Sequence, residues 1–365
     1  METFQISETK ASLALSVSTL TLAMSLLFYG AFSETFGRRH IMLVAVVLVT
    51  LFSFAQPFVQ SFEQLLLLRA LQGLLLGGLP AVAVAFISEE VHPSQLVQSI
   101  SLFIGGNGLG AAIGRMSSAF ITSYYSWHTA LFVISFVVLM ATVFFCLLLP
   151  PARNFKPQPL RLKPVLVAYK AHLMDHKLLP IFMTGFILMA CNVAIYNFIA
   201  IHLMESPYHW TQQATGFIYG TFLIGSISPV FINPLLAWKG ELWSKRFAII
   251  LYICGALFTL LPFVSIKLIG ITFGIVAFFI GHSLASSAVG RLATHHKSQA
   301  SSMYLLFYYI GSSVGGVLAS YGWAFGSWIG VVILVICMLS IAYMLTFVIG
   351  ARSQTNTNLL KTLDK

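Results

Sequence analysis

The sequence predicts an all-helical integral membrane protein, a bundle built from two similar halves. Three observations predict this: a composition too apolar for water, eleven long apolar runs, and charges that alternate from loop to loop. Of 365 residues, 58% are hydrophobic and only 8% are charged, and the mean hydropathy is +0.90. Soluble domains are about one-quarter charged, so lipid must cover much of this surface.

A helix crossing ~30 Å of hydrocarbon needs about 20 residues. Runs of that kind lie near 12–33, 41–60, 64–87, 96–119, 126–149, 179–204, 213–237, 247–264, 268–290, 299–323 and 327–350. The last two are split at Gly326 and Ser327, a turn inside an otherwise uncharged stretch. An odd number of spans puts the two ends on opposite sides. Sixteen Lys and Arg fall in one set of alternate loops and the C-terminal tail, against Lys10 and Lys267 in the other set; Arg69 and Arg115 lie within spans. Basic loops stay inside, so the tail is expected in the cytoplasm and Met1 outside. The net charge of +10 then serves orientation and contact with anionic lipid, not nucleic acid. The opening METFQISETK lacks the basic region of a signal peptide. Cys146, Cys191, Cys254 and Cys337 stand singly in apolar runs, so neither a disulfide nor a metal site is expected, and no cofactor.

The organisation is read as an N-terminal half, 1–150, with five spans; a basic cytoplasmic linker, 151–178; a C-terminal half, 179–351, with six spans; and a tail, 352–365. The halves repeat. FIGGNGLGA (103–111) matches YIGSSVGGV (309–317), Gly77 matches Gly281, and Ser126-Trp127 matches Ser327-Trp328, all at offsets near 200 residues. Gly106, Gly110 and Gly114 form one small-residue stripe, and Gly311, Gly315 and Ala319 form its counterpart. Such stripes let helix backbones approach closely in lipid. Paired halves around a midplane cavity are a transporter's architecture.

The segment GAFSETFGRRH (30–40) is a knot of charge between two apolar runs. Gly30 and Gly37 permit a close approach and a tight turn, Arg38 and Arg39 hold the loop inside, and Glu34 is a lone anion at the membrane exit. Gly30, Glu34, Gly37, Arg38 and Arg39 resemble the signature loop of the major facilitator superfamily. RALQG (69–73), GGNGLGAAIG (105–114) and LPPAR (149–153) resemble its fourth-, fifth- and sixth-helix motifs. With SEEVHPS and KSQASSMYLLFYYIGSS, the chain is similar to bacterial YnfM-type, arabinose-efflux and drug-efflux permeases of that family. The resemblance implies a major-facilitator-type bundle, with about eleven helices here against a norm of twelve, the family's first helix being absent. It further implies that Glu34 faces the N-terminal end of the helix starting near Ser298, a contact that shuts the cytoplasmic side. The fifth-helix motif lacks the family's usual proline.

Charged groups inside a span are functional candidates. Arg69, with Gln72 one turn on, is a candidate for binding solute; Arg115 snorkels to the outer surface. Asn192 and Tyr196 share a helix face, and Ser283 and Tyr308 add polar groups at similar depth. Counted against the family, several of these fall on cavity-lining helices. No Asp or Glu lies deep in a span, which leaves His282 as the candidate for proton coupling. The expected function is a secondary active carrier, most simply a proton-coupled exporter of a sugar-like or amphipathic, drug-like solute. It would act as a monomer in the bacterial inner membrane. An uptake symporter, a non-transporting relic and a membrane-embedded enzyme are the alternatives. The last lacks the acid cluster that metal-phosphate chemistry needs, and no ATP-binding motif is present.

Overall fold

Glycine, proline and capping side chains set where the helices begin and break. The computed structural model describes residues 8–159 and 162–363. Helix α1 (Glu8–Phe36) ends at Gly37, whose φ of +95° is readily adopted only by glycine, and α2 (Arg38–Ala55) starts immediately after it. Ser61 caps α3 (Phe62–Leu76) by accepting from the Gln64 N–H. The expected span 64–87 is in fact two helices. Pro80 has no N–H to give a continuing helix and instead opens α4 (Pro80–Glu90). Helices α5 (Leu96–Tyr124) and α6 (Trp127–Leu148) follow, the latter capped by Ser126. The linker carries a short helix, α7 (Leu162–Met174), before α8 (Leu179–Met204).

The expected span 213–237 is also broken. It consists of α9 (Gln212–Gly216), α10 (Thr221–Ile227) and α11 (Ile232–Lys239), joined by two 3-10 turns, the second containing Pro229. Gly240, with φ +80°, separates α11 from α12 (Glu241–Phe258). Helix α13 (Val264–Leu292) and α14 (Lys297–Leu363) complete the chain, and α14 breaks at Gly326 and Ser327, the turn expected from the sequence. Among the described residues, seven segments are long and apolar enough to cross a membrane.

The chain forms two compact units. Unit 1 comprises residues 1–93, 113–171 and 293–306; unit 2 comprises 94–112, 172–292 and 307–365. These are not the two halves of the sequence. Residues 94–112 belong with unit 2, and 293–306 with unit 1.

In unit 1, α1 and α3 touch at small residues: a side chain on Gly73 would strike Ser18 O, and one on Gly77 would strike Ser25. Thr50 and Thr142 hydroxyls share a hydrogen bond of 2.7 Å between α2 and α6. In unit 2, a Cβ on Gly255 would lie 2.5 Å from Gly270 O, so α12 and α13 lie almost backbone to backbone.

The two glycine stripes differ. Gly311 and Gly315 press on the backbone of Phe186 and Ala190 in α8. Around Gly106, Gly110 and Gly114 nothing lies within 4 Å of an added Cβ among the described residues. The close approaches of α5 fall on Gly105, against Ser226 O, and Gly108, against Phe279. The packing assigned to the first stripe therefore moves to its neighbouring face.

Lys267 is a second correction. Expected as an outer-loop charge, it is 2% exposed in the first turn of α13. Its ammonium donates to Thr259 O at 2.5 Å and lies 5.1 Å from the centre of the Tyr208 ring. Thr259 also accepts from the Trp328 indole at 3.1 Å. The cation thus caps the negative, C-terminal end of α12, which explains a basic residue among the otherwise charge-poor loops.

Candidate functional site

The charged loop builds its site inside unit 1. Arg38 is 4% exposed and grips Glu89, at the end of α4, through both carboxylate oxygens, at 2.6 and 2.7 Å. A third donor reaches Ser33 Oγ at 3.0 Å. This two-pronged geometry requires a guanidinium. It also offsets the acids Glu89 and Glu90, which sit at the wrong end of α4 for its dipole. Arg39 donates to Leu149 O at 3.3 Å and caps the C-terminal end of α6.

Glu34, four residues before Arg38, lies 3.9 Å from its guanidinium. Its carboxylate accepts from Gln299 Nε2 at 2.7 Å and stands 3.5 Å from His296 Nδ1. Ser33 and Ser298 hydroxyls meet at 2.9 Å. Both contacts land on the first turn of α14, where free N–H groups favour an anion. Gly30 makes the crossing possible: a Cβ there would lie 3.0 Å from Ser302 Oγ and 3.1 Å from Tyr169 Oη. Gln299 Oε1 and Ser301 Oγ are buried with no hydrogen-bond partner among the described residues, which costs stability.

The linker is strapped over the same corner. Asn154 bonds Glu90 Oε1 (2.8 Å) and Glu89 O (2.9 Å), and the Gln158 N–H donates to Glu34 O (2.9 Å). Tyr169 of α7 donates to Leu27 O at 2.5 Å. Burial pushes its hydroxyl well above the ordinary 10.0, so it remains a donor at neutral pH.

Unit 2 holds a ladder of aromatic rings. Tyr196 meets Phe222 (4.6 Å between centroids), Phe222 meets Phe279 (6.2 Å), Phe279 adjoins Phe278 (5.3 Å), and His282 is stacked between Phe278 (5.9 Å) and Tyr308 (4.6 Å). The ladder crosses α8, α10, α13 and α14. Tyr196 and Thr221 hydroxyls share a bond of 2.6 Å. Asn192 Oδ1 and Ser283 Oγ are buried with no hydrogen-bond partner among the described residues.

Against known proteins, residues 1–316 match the profile of the Major Facilitator Superfamily. The chain belongs to this superfamily. It is 40% identical over 343 residues to the uncharacterized MFS-type transporter YybF of Bacillus subtilis (strain 168), covering 94% of this chain and 85% of that one. It is 34% identical over 341 residues to the inner membrane transport protein YnfM of Escherichia coli (strain K12), covering 93% and 82%. Its fold is similar to the crystal structure of the E. coli fucose:proton symporter FucP, with a TM-score of 0.75 at 13% identity, covering 93% of this chain and 90% of that one. As a major facilitator, the protein is a multi-pass membrane secondary transporter and not an enzyme.

Within this transporter, the residues singled out from sequence separate into two places. Gly30, Glu34, Gly37, Arg38 and Arg39 converge on one corner of unit 1. Asn192, Tyr196, His282, Ser283 and Tyr308 lie on or beside the ladder of unit 2. Gln72 does something else: its carbonyl accepts from Gln56 Nε2 (2.6 Å) and its amide donates to Ser53 Oγ (2.7 Å), so both ends are spent joining α3 to α2. Arg69, one turn earlier, is half-buried. Sequence reasoning missed Ser33, Glu89, Gln299, Phe222, Phe278 and Phe279. For Glu89 a signal existed, since an acid ending a helix needs a cation. The phenylalanines carried none, being indistinguishable from thirty-one such residues in an apolar chain.

Proposed function

We propose that this transporter is a proton-coupled exporter of a small amphipathic or neutral solute, with the Glu34 corner as its cytoplasmic gate. It works as a monomer in the inner membrane, with the basic loops and the C-terminus in the cytoplasm. The observation that carries the reading is the Glu34 carboxylate held on Gln299 in the first turn of α14. An anion on a helix N-terminus is a bond of modest strength, about 0.3–1 kcal/mol, suited to being made and broken in each cycle. The unpartnered buried atoms of Gln299 and Ser301 favour opening, because water would satisfy them. The two contributions oppose one another and keep the gate poised.

The ladder of unit 2 supports the solute class. It offers flat apolar faces, an amide oxygen on Asn192 waiting for a donor, and the hydroxyls of Tyr196, Thr221 and Ser283, with no carboxylate beside them. A solute with an aromatic or alicyclic body and an N–H or O–H group suits it. His282, stacked in the ladder, is the titratable side chain proposed to couple protons.

The test is flux in proteoliposomes under an imposed pH gradient, screening amphipathic dyes and sugars. Export against the proton gradient is expected. Glu34→Gln should speed labelling of Ser301→Cys from the cytoplasmic side by about 2–5-fold, the equivalent of the dipole term. His282→Gln should abolish the pH dependence while leaving counterflow. Accumulation in the direction of the proton gradient would overturn export; unchanged pH dependence in His282→Gln would remove the histidine from coupling.

A further inference from the structure

We propose that α7 lies in the inner-leaflet surface as an anionic-lipid anchor for the linker. Its outer face is the anomaly. On this 13-residue helix, Leu166 is 68% exposed, Val167 60%, Leu173 38% and Met174 66%. At about 100° per residue, positions i, i+1, i+7 and i+8 share one broad face. Lys170 is exposed in the middle of that face, while Ala168, Tyr169 and His172 are buried on the opposite one. A helix standing free in the cytosol would turn polar side chains outward. This one turns outward four large apolar groups and one lysine.

Depth decides what covers that face. Tyr169 donates to Leu27 O, and Leu27 lies nine residues before Phe36, the last residue of α1. Nine residues of helix rise ~13 Å. The Tyr169 side chain therefore reaches well past the end of α1, which draws α7 up to the level where the helices leave the hydrocarbon. The Gln158 N–H on Glu34 O holds the preceding strap at that same level. At this depth the neighbour of an outward apolar face is lipid.

Charge commits the lipid class. The linker 151–178 carries six Lys and Arg against one acid, Asp175, and Lys170 and Lys177 are both exposed. Apolar side chains in the acyl boundary with lysines at headgroup height is the pattern of an interfacial helix on an anionic surface. The lysine stems cover apolar surface while their ammonium groups reach phosphate. Through Tyr169, the same helix is tied to the α1 segment that carries Gly30 and Glu34, so the state of the leaflet bears on the gate.

The inference rests on the orientation proposed above but not on transport, and its test is read without any flux. Full-length protein with Cys146, Cys254 and Cys337 replaced by Ser carries a single bimane label at Val167→Cys, Met174→Cys or, as a control on an exposed linker residue, Lys156→Cys. It is reconstituted in phosphatidylcholine vesicles with or without one-quarter phosphatidylglycerol. Phosphatidylcholine spin-labelled at the 5-position should quench Val167 and Met174 at least threefold more than Lys156. Phosphatidylglycerol should increase that quenching, and Lys170→Ala with Lys177→Ala should remove the increase. Quenching by aqueous iodide in place of lipid would overturn the proposal. So would protection from both quenchers, which would mean a second copy or another protein on this face, and so would lipid quenching indifferent to phosphatidylglycerol. If the labels are buried in lipid but no solute moves, the anchor stands and the transport reading fails.

Discussion

Corresponding corners of the two units are the same device with the signs reversed. In unit 1, Gly37 with positive φ is followed by Arg38, which pairs with Glu89 near the end of α4. In unit 2, Gly240 with positive φ is followed by Glu241, which pairs with Arg291 near the end of α13 at 2.5 Å and with Lys245 at 2.7 Å. The offset from Gly37 to Gly240 is 203 residues, and Arg291 falls within one residue of the position that repeats Glu89. Duplication has kept the backbone turn and the ion pair, and not the direction of the charge. Carried by the same offset, Glu34 becomes Ala237. The pair is thus structural and common to both units, while the acid proposed as a latch belongs to unit 1 alone.

Burial separates the pairs further. The Arg38 and Glu89 side chains are 5% and 21% exposed, whereas Arg291 and Glu241 are 30% and 35% exposed. Breaking a buried pair by removing one partner costs about 3–5 kcal/mol, and an exposed pair about 0–1 kcal/mol. Arg38→Ala should therefore lower the melting temperature in detergent severely, and Arg291→Ala barely. Equal losses would mean that the two corners bear equal weight and would break the comparison.

The glycine stripes supply a second, smaller contrast. Gly315→Ala must push a methyl group into the Ala190 backbone, and overpacking of this kind costs about 1–3 kcal/mol. Gly110→Ala meets open space among the described residues and should change stability by less than about 0.5 kcal/mol. Thermal melts of the two variants side by side check this, and a penalty at Gly110 would show that its face is packed in the working protein.

The smallest effect concerns pH. Burial acts to raise the Glu241 carboxyl, but Lys245 and Arg291 outweigh it and hold it below its ordinary 4.5. A group depressed in the folded state adds stability that is complete above its unfolded value and is lost as pH falls through the folded one. The pH dependence contributed by Glu241 should thus be flat above about pH 5, and Glu241→Gln should lower that plateau slightly and flatten the acid limb, where the two proteins converge.

Much of the fold was legible because lipid imposes long, uniform rules. Runs of about twenty apolar residues located most of the helices, and a Gly-Ser pair located the turn at Gly326. Pro80 and Pro229 were visible in the sequence too, but a hydropathy window averages across them, so two broken spans read as whole. Lys267 was misread because loop counting assumes that a lysine near a span end faces water, and here a helix C-terminus and an aromatic ring hold it.

By itself the sequence determined the solvent, the helical class, the internal repeat and the membership of a transporter superfamily, since each depends on patterns along the chain. Tertiary structure alone decided which glycines touch a backbone, that Gln72 is spent between α2 and α3, and that Glu34, expected at the start of the helix near Ser298, finds Gln299 as its partner there. These depend on which face of a helix meets which neighbour. In lipid, where apolar side chains suit every outward face, sequence periodicity carries little of that information.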